Sequence, residues 1–583
     1  MATGYPSIDR PWIGYYPEEA YHLVAPPLSL YGLIKEKNKD YLSGTALSYF
    51  DKTTTFKELF ENIEKTAAAL TEQGVRAGDI VSICSVTTPE VVCLFYALNK
   101  IGAVANMLDP RNNKDYISKV LKDTNCNLLF VLDVISPKLE EDIRKYPTVI
   151  LSVATSMPLV VKTVYRLKNK PVKCTSAMTW KEFIASGNGK TVPDIDYEPD
   201  RPAAIVYTGG TTGVPKGAIL SNENMNYVAL EYGYCIPKAK RGQTILIIMP
   251  PFIAYGLTIG MHTPLTLGVK SVIIPKFDPK KLPDLIVKYK PEHAVGIPSH
   301  YEEVIKSPKL KGVDLSNWYT PAAGGDAINE TLEKSVNRFL KDHNCESSLM
   351  MGYGMTELCS SAATNLALFA KVGTVGFPLP LNTFGIFKPG TDEELPYNTD
   401  GEICVTGPTV FLGYLNNPEE DKIVKKKHKD GKVWVHTQDI GFIDEEGFIT
   451  IKGRIKRMIT RPDGHNNFPS ALEKDVATCD GVENVAVISI PGERYGNGYI
   501  PVAAVVRKPG SMVSADEILS YCMKNSPARE MPCYVFFVDQ IPLTNIGKVD
   551  FLSLEKQFHD MTVSNPEIMD KVYSYYEKTM AMN

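Results

Sequence analysis

Ile205-Val-Tyr-Thr-Gly-Gly-Thr-Thr-Gly-Val-Pro-Lys-Gly217 is the most informative stretch of this 583-residue chain. An apolar run leads directly into glycines and threonines, and the stretch ends in Lys216 and Gly217. Glycines let backbone amides approach an anion closely, and threonine hydroxyls add donors suited to a phosphate or a magnesium ion. The spacing differs from a Walker A loop, which places Gly-Lys-Ser/Thr four residues after its first glycine. Taken alone, the stretch is also compatible with an ordinary turn that binds nothing.

The composition predicts several domains or subdomains in a reducing, cytoplasmic environment. The chain is 44% hydrophobic, and its 63 Lys and Arg nearly balance 67 Asp and Glu, so no long-range field attracts nucleic acid or anionic lipid. Eleven cysteines form no Cys-x-x-Cys pair, and the N-terminus does not have the order of a signal peptide. The longest apolar stretch, 149–161, is too short to span a bilayer. We interpret that stretch as a buried strand and its turn.

The alternation of short β-rich runs with helical segments predicts an α/β fold. Thr55 and Glu58 have the spacing of a capping box, and apolar residues then recur at helical spacing until Gly74. The β-rich runs are 203–207, 244–249, 269–274, 294–297 and 349–351, and segments able to form helices include 221–232 and 279–290. This order predicts parallel sheets wrapped by helices. Ligands of such folds bind at the carboxyl ends of the strands, where Thr208, Phe252 and Tyr353 fall.

A second motif is the run from Met351 to Glu357, in which Tyr353 lies between two glycines. The tyrosine ring offers a flat face to a purine, the Thr356 hydroxyl suits a phosphate, and Glu357 is a hard oxygen ligand for magnesium. A Tyr-Gly turn that opens a helix is the alternative interpretation.

Two further candidates lie closer to the C-terminus. The Asp439 carboxylate is able to accept both hydroxyls of a ribose, and Arg454 follows on the next apolar run. Lys548 follows Gly547 in a turn, and a lysine brought to an attacked phosphate stabilises the charge of the transition state. Without a ligand, the same residues would be a surface turn and a solvated charge.

Five motifs in this order, between about residues 50 and 550, resemble the adenylate-forming superfamily of acyl-CoA synthetases, luciferases and peptide-synthetase adenylation domains. The resemblance implies a large N-terminal domain of α/β subdomains with mostly parallel sheets, 1–453. A smaller α+β lid domain, 454–583, would rotate about a hinge near Lys456. It also implies two half-reactions, in which a carboxylate and MgATP give an acyl-adenylate, and a thiol then displaces AMP. The chain departs from the family pattern at Gln438, where glycine is usual.

The resemblance assigns roles to particular residues. Lys548, Thr208 and Glu357 would be catalytic, with Thr208 and Glu357 also holding Mg²⁺. The nucleotide would contact Thr208, Gly209, Gly210, Thr211, Thr212, Gly213, Lys216, Gly324, Gly352, Tyr353, Gly354, Thr356, Asp439, Arg454 and Lys548. The acid would contact Phe252, Ile253, Tyr255, His300, Ala323 and Gly325. Lys456, Gly464 and His465 would serve the hinge and CoA.

The sequence restricts the choice of acid substrate mainly through residues that the chain lacks. Members that adenylate amino acids usually place an aspartate where this chain has Ile253, and an unpaired ammonium there would be costly. The histidine that aryl and fatty acyl synthetases often carry nearby is also missing. The form of the 205–217 loop favours a fatty acyl-CoA synthetase, a ligase that forms carbon–sulfur bonds from acid, ATP and CoA. A carrier-protein thiol or an amine as acceptor, or a catalytically silent nucleotide-binding protein, are the alternatives.

The remaining expectations concern assembly. The chain continues for 35 residues beyond Lys548, and we expect this tail to pack as a helix on the C-terminal domain, with an oligomer contact as the alternative. We expect a monomer or homodimer with no nucleic-acid partner and no transmembrane segment.

Overall fold

A computed structural model describes residues 3–168, 177–208, 215–367, 369–543 and 549–582. It confirms the predicted α/β fold, with a large N-terminal part of mostly parallel sheets and a smaller C-terminal part. Among the described residues, no helix has both the length and the apolar character needed to cross a bilayer.

Two large sheets dominate the N-terminal part. The eight-stranded sheet contains, in spatial order, Gly413–Tyr414, Gly217–Ser221, Pro202–Tyr207, Val104–Leu108, Ile80–Cys84, Leu128–Leu132, Thr148–Leu151 and Met178–Thr179. The nine-stranded sheet contains Phe377–Pro378, Ala363–Thr364, Met350–Tyr353, Thr320–Gly324, His293–Gly296, Thr244–Ile247, Lys270–Ile273, Thr45–Tyr49 and Lys52–Thr55. Their central strands are parallel, and antiparallel pairs occur towards the edges. The carboxyl ends of many strands therefore converge at one edge of each sheet.

The helices cover these sheets. They are Pro6–Asp9, Leu30–Lys37, Phe56–Glu72, Pro89–Lys100, Lys114–Asp123, Glu140–Lys145, Leu159–Lys168, Trp180–Ser186, Asn222–Cys235, Thr263–Thr266, Leu282–Tyr289, Pro298–Lys306, Glu330–Asp342 and Pro418–Val424, with a π-helix at Tyr255–His262. The predicted capping box is confirmed, because the Thr55 hydroxyl accepts from the Glu58 amide at 3.2 Å and the Glu58 carboxylate accepts from the Thr55 amide at 2.8 Å. The helix that it begins ends at Glu72, just before Gly74 with a φ of +86°.

An antiparallel sheet follows, and the C-terminal part comes after it. The antiparallel sheet contains Thr383–Phe387, Gly401–Thr406, Val433–Ile443, Lys425–Lys427 and Ile449–Arg454. The C-terminal part has the strands Val482–Pro491, Tyr499–Arg507 and Tyr534–Phe537, the pair Ile459–Thr460 and Asn466–Asn467, and the helices Pro469–Ala477, Ala515–Asn525, Phe551–Ser564 and Glu567–Ala581. The boundary after residue 453 and the hinge at Lys456 stay predictions.

The end of the chain is helical, as the sequence predicts. Ile568, Val572 and Tyr576 of the helix Glu567–Ala581 are buried in a cluster with Ile500 and Val502 of the C-terminal sheet. The tail is therefore part of the C-terminal core.

The interpretation of residues 149–161 as a strand and its turn is only half right. The strand Thr148–Leu151 is buried, but a helix begins at Leu159, and Leu159 and Val160 are exposed. Apolar composition predicts burial only on average, because much of any protein surface is apolar.

Candidate functional site

A cavity of about 370 Å³ opens where the carboxyl ends of strands from both large sheets meet. Tyr207 and Thr208 follow the strand Pro202–Tyr207, and Asp109 follows the neighbouring strand Val104–Leu108. Gly324 and Gly352 come from the nine-stranded sheet. This is the position that the fold class predicts for a ligand.

The cavity also runs inward along the nine-stranded sheet. His293 and Thr320 line it at the amino ends of their strands, whereas Gly324 lies at the carboxyl end. Four residue steps separate Thr320 from Gly324, which corresponds to about 13 Å of extended strand. We call the end at Gly324 the mouth and the end at His293 and Thr320 the floor.

The floor carries a neutral polar group among apolar walls. Nδ1 of His293 lies 2.9 Å from the Thr320 hydroxyl, and Nε2 lies 3.0 Å from the Gln243 side-chain oxygen. Burial lowers the pKa of His293 to about 4, because the charged ring would lose its hydration. Both ring nitrogens have partners, so the floor does not require a polar group from a ligand.

At the mouth, Thr208 and Lys216 hold the two ends of the glycine- and threonine-rich loop together. The Thr208 amide donates to the Lys216 carbonyl at 2.9 Å, and the Lys216 amide donates to the Thr208 hydroxyl at 3.1 Å. The Lys216 ammonium is 2.7 Å from Glu420 and 5.0 Å from the centre of the Tyr414 ring, and Lys216 does not line the cavity. Gly209, Gly210, Thr211, Thr212 and Gly213 lie outside the described residues.

The second motif lies beside the loop. Gly352, Tyr353, Gly354 and Thr356 line the cavity. A Cβ atom at Gly354 would lie 1.8 Å from the Ser360 carbonyl oxygen, so only glycine fits this backbone.

Glu357 is buried next to this wall. Its carboxylate accepts a hydrogen bond of 2.5 Å from the Tyr414 hydroxyl. The Tyr414 ring also lies under the Lys216 ammonium. One tyrosine therefore connects the predicted magnesium ligand with the lysine of the loop.

Asp439 connects Tyr353 of the second motif with Arg454. The Tyr353 hydroxyl donates to Asp439 at 2.6 Å, and Nε of Arg454 donates to the other carboxylate oxygen at 3.0 Å. Asp439 and Arg454 are register partners on adjacent strands, and the carboxylate raises the pKa of Arg454. Gln438 has a φ of +61°, a conformation that glycine adopts freely and that accounts for the glycine usual in the family pattern.

Most of the predicted acid-binding residues line the cavity, and one does not. Those that line it are Phe252, Ile253, Tyr255, Ala323 and Gly325. His300 instead packs its ring against Phe277 at 4.8 Å, and its Nδ1 accepts from the Ile297 amide at 3.3 Å. In this structure His300 therefore supports the wall and does not form it.

The described residues among the hinge and CoA candidates do not line the cavity. Lys548 is outside the described residues, although the chain on either side of it is held by a bridge between Leu543 and Val549. Lys456 is exposed, and neither Gly464 nor His465 lines the cavity. His465 is 3.9 Å from Glu530 within the C-terminal part.

Sequence reasoning missed Asp109, Asn112, His293 and Thr320 of the lining. Asp109 directly follows an apolar run, so the rule that ligands bind at strand ends was sufficient to find it. His293 and Thr320 begin strands and belong to no motif, and no local signal marks them.

The chain resembles characterised proteins over most of its length. A model of the AMP-binding enzyme family matches residues 34–415, and a model of the AMP-binding enzyme C-terminal domain matches residues 471–548. A long-chain-fatty-acid–CoA ligase of Bacillus subtilis is 28% identical, with 93% of this chain and 96% of the relative covered. 4-Coumarate–CoA ligase 2 of Nicotiana tabacum is also 28% identical, with 85% and 88% covered. The fold matches ATP-bound MatB from Rhodopseudomonas palustris with a TM-score of 0.79 at 24% identity, covering 92% of this chain and all of that one.

Proposed function

Because the chain belongs to the AMP-binding enzyme family, we propose that it is a ligase that activates a fatty acid with ATP and transfers the acyl group to CoA. The observation that carries the choice of acid is the largely apolar cavity that extends about 13 Å from mouth to floor. A linear acyl chain fits this shape, with its carboxylate at the mouth.

Other acids fit this cavity less well. An α-amino acid needs a partner for its ammonium, and Ile253 lies where that partner is expected. The acidic residues that line the cavity are Asp109, which pairs with Arg111 at 2.8 Å, and Asp326 at the mouth. A single aromatic ring would leave the region of His293 and Thr320 unfilled. Relatives named for fatty acids and for coumarate match at the same identity, so the cavity decides the proposal and the comparisons do not.

Groups suited to a nucleotide lie at the mouth and directly behind its wall, which supports this proposal. We assign the adenine face to Tyr353, the ribose hydroxyls to Asp439 with Arg454, and the phosphates to the loop that starts at Thr208. When the ribose binds, the Tyr353 hydroxyl gives up its bond to Asp439. The Glu357 carboxylate and the Thr208 hydroxyl are hard oxygen donors of the kind that Mg²⁺ prefers, and a bound Mg²⁺ would neutralise phosphate charge there.

The reaction then follows from charge. A carboxylate oxygen attacks the α-phosphorus of ATP, the bond to the β-phosphate oxygen breaks, and pyrophosphate leaves. We assign Lys548 to the charge that gathers on the oxygens of the attacked phosphate. One unit pair at about 4 Å is worth roughly 4 kcal/mol at an effective dielectric of 20. In the second step a thiol attacks the acyl carbon and AMP leaves.

The two steps require Lys548 at different times, which favours a C-terminal part that rotates about Lys456. In this structure that part contacts the N-terminal part through the ion pairs of Lys474 with Glu330 at 2.5 Å and of Lys306 with Glu483 at 3.5 Å. The Ser470 hydroxyl also donates to the Lys452 carbonyl. Ion pairs of this kind contribute little to stability and break readily. The contacts are therefore compatible with rotation.

The test is incubation of the protein with ATP, Mg²⁺, CoA and an aliphatic acid. We expect AMP, pyrophosphate and an acyl-CoA thioester in equal amounts. AMP without thioester would identify a carrier-protein thiol or an amine as the acceptor. No exchange of pyrophosphate into ATP with any carboxylic acid would identify a catalytically silent protein.

A further inference from the structure

Several apolar side chains of the helix Leu159–Lys168 are exposed on its outer side. Leu159 is 80% exposed, Val160 76% and Leu167 82%. Soluble proteins expose single apolar residues commonly, but three nearly bare aliphatic side chains within nine residues are a dense group, which shares its side of the helix with the exposed Thr163.

Helical geometry places these residues on one side. With 3.6 residues per turn, Leu159, Val160 and Leu167 fall within a sector of about 100°, and Val164 extends it to about 140°. Tyr165 lies on the opposite side, where it packs against the large core. The helix therefore has an inner apolar side that packs against the core and an outer side on which Leu159, Val160 and Leu167 are largely exposed.

The charge of the helix favours one kind of binding partner for the exposed side. Residues 159–168 contain Lys162, Arg166 and Lys168 and no acidic residue, in a chain whose net charge is −4. The overall charge balance thus hides a local cationic segment. Exposed aliphatic residues flanked by basic ones fit the boundary between the headgroups and acyl chains of an anionic bilayer. A protein partner would instead call for a groove or for aromatic anchors, and the exposed face of this helix is convex and aliphatic.

The helix is attached firmly at its beginning. The Tyr49 hydroxyl donates to the Val153 carbonyl at 2.7 Å, and the Ser156 hydroxyl donates to Glu90 at 2.5 Å. The connection leaves the strand Thr148–Leu151 at its carboxyl end, which is the edge of the sheet from which Asp109 lines the cavity mouth. Three strand spacings, about 14 Å, separate that strand from Val104–Leu108.

We propose that the helix Leu159–Lys168 docks the protein on an anionic lipid surface. Leu159, Val160 and Leu167 enter the region of the acyl chains, and Arg166 lies at the phosphate headgroups. Docking brings the edge of the sheet that carries the cavity mouth towards the lipid. The proposal concerns surface binding and stands whichever acid the enzyme activates.

The test is co-sedimentation of the full-length protein with vesicles of phosphatidylcholine alone and with vesicles that also contain phosphatidylglycerol. We expect binding to the anionic vesicles, and we expect Leu159→Asp/Leu167→Asp to weaken it by at least about tenfold, because two inserted side chains become charged. The matched control is Val24→Asp/Met512→Asp, whose parent side chains are 78% and 89% exposed elsewhere on the protein, and it should bind like the wild type.

The contribution of charge is tested with Arg166→Gln, which should weaken binding to the anionic vesicles about fivefold. Wild-type protein that stays in the supernatant with anionic vesicles would overturn the proposal. So would a leucine variant that binds like the wild type, or equal losses in the leucine variant and in its control. Pyrophosphate exchange with a short, water-soluble acid, measured without vesicles, tests the proposed function separately, and the leucine variant should retain it.

Discussion

The two ends of the cavity are formed by different parts of the strands. The mouth consists of turns that follow strands, with Gly354 and Thr208 fixed by backbone geometry. Asp439, on the strand Val433–Ile443 behind this wall, holds Tyr353 in place through a hydrogen bond. The floor consists of the first residues of strands, and His293 and Thr320 there are held by a hydrogen bond inside the core. Under the proposed function, this difference assigns the chemistry shared by every substrate to the mouth and the choice of acid to the depth of the cavity.

The largest effect is expected for Lys548→Ala, which tests whether the groups proposed for the mouth serve every acid alike. We expect pyrophosphate exchange to fall at least about a hundredfold for every acid alike, because in the proposed mechanism the lost cation serves the phosphate and not the acyl chain. Thioester formation from a preformed acyl-adenylate should be spared. Lys556→Ala, which removes an exposed lysine of the helix Phe551–Ser564, is the control. Equal losses in both steps would contradict the assignment.

Gly354→Ala breaks the mouth through its backbone. The added methyl group would meet the Ser360 carbonyl, so the turn that carries Tyr353 must shift. We expect kcat/KM to fall by more than about tenfold for short and long acids in the same proportion. Gly233→Ala is the control, because its new Cβ would come no closer than 3.7 Å to any neighbouring atom. A loss confined to long acids would place the turn on the acyl side.

Ala322→Phe tests whether the inner part of the cavity holds the acyl chain. Ala322 lines the cavity between Thr320 and Gly324, so a phenyl ring there shortens the space for the acyl chain. We expect kcat/KM for the longest accepted acids to fall about tenfold, with short acids changed by no more than about twofold. Steady-state kinetics over a series of chain lengths measures this. A uniform loss over the series would mean that the acyl chain does not pass this point.

The neutral state of His293 predicts a dependence of stability on pH. Its pKa is lowered to about 4 in the folded protein, below the ordinary value of 6.5, so between these values the unfolded chain binds a proton that the folded chain does not. The free energy of unfolding should therefore decrease as the pH falls through this window, by about 1.4 kcal/mol per pH unit for this group. Urea unfolding of His293→Gln should show a slope smaller by about that amount. An unchanged slope would mean that the ring is charged in the fold.

The smallest expected effect is that of Gln438→Gly at the mouth. The positive φ of Gln438 destabilises the folded state by roughly 1–2 kcal/mol for a residue with a side chain. Glycine removes this strain, but it loses more conformational entropy on folding, which offsets part of the gain. We expect a stabilisation of about 0.5–1 kcal/mol in urea unfolding. A loss of stability would show that the Gln438 side chain contributes more than its backbone costs.

The sequence predicts the mouth of the cavity better than its floor. The turns at the mouth require particular residues, such as Gly354 under the Ser360 carbonyl, and such requirements leave motifs that can be found without a structure. The capping box at Thr55 and the strand–helix alternation could be predicted for the same local reason. His293 meets Gln243 and Thr320 only through the pairing of distant strands, and the sequence around it looks like any core strand.

Two errors follow from the same limit. His300 is a polar residue close to the candidate pocket in sequence, and yet the turn of its helix directs the ring towards Phe277. The apolar composition of 149–161 predicts a buried strand and its turn, but Leu159 and Val160 begin a helix and are exposed. Burial is a property of the whole fold, and local composition does not determine it.

The central claim is that a nucleotide-activating mouth opens into a long cavity for an acyl chain. Pyrophosphate exchange into ATP over a panel of aliphatic, aromatic and amino acids tests it most directly. We predict exchange with aliphatic acids that strengthens with chain length until the chain reaches His293, and little with amino acids. Exchange that is strongest with an aromatic or an amino acid, or that is absent for the whole panel, would contradict the account.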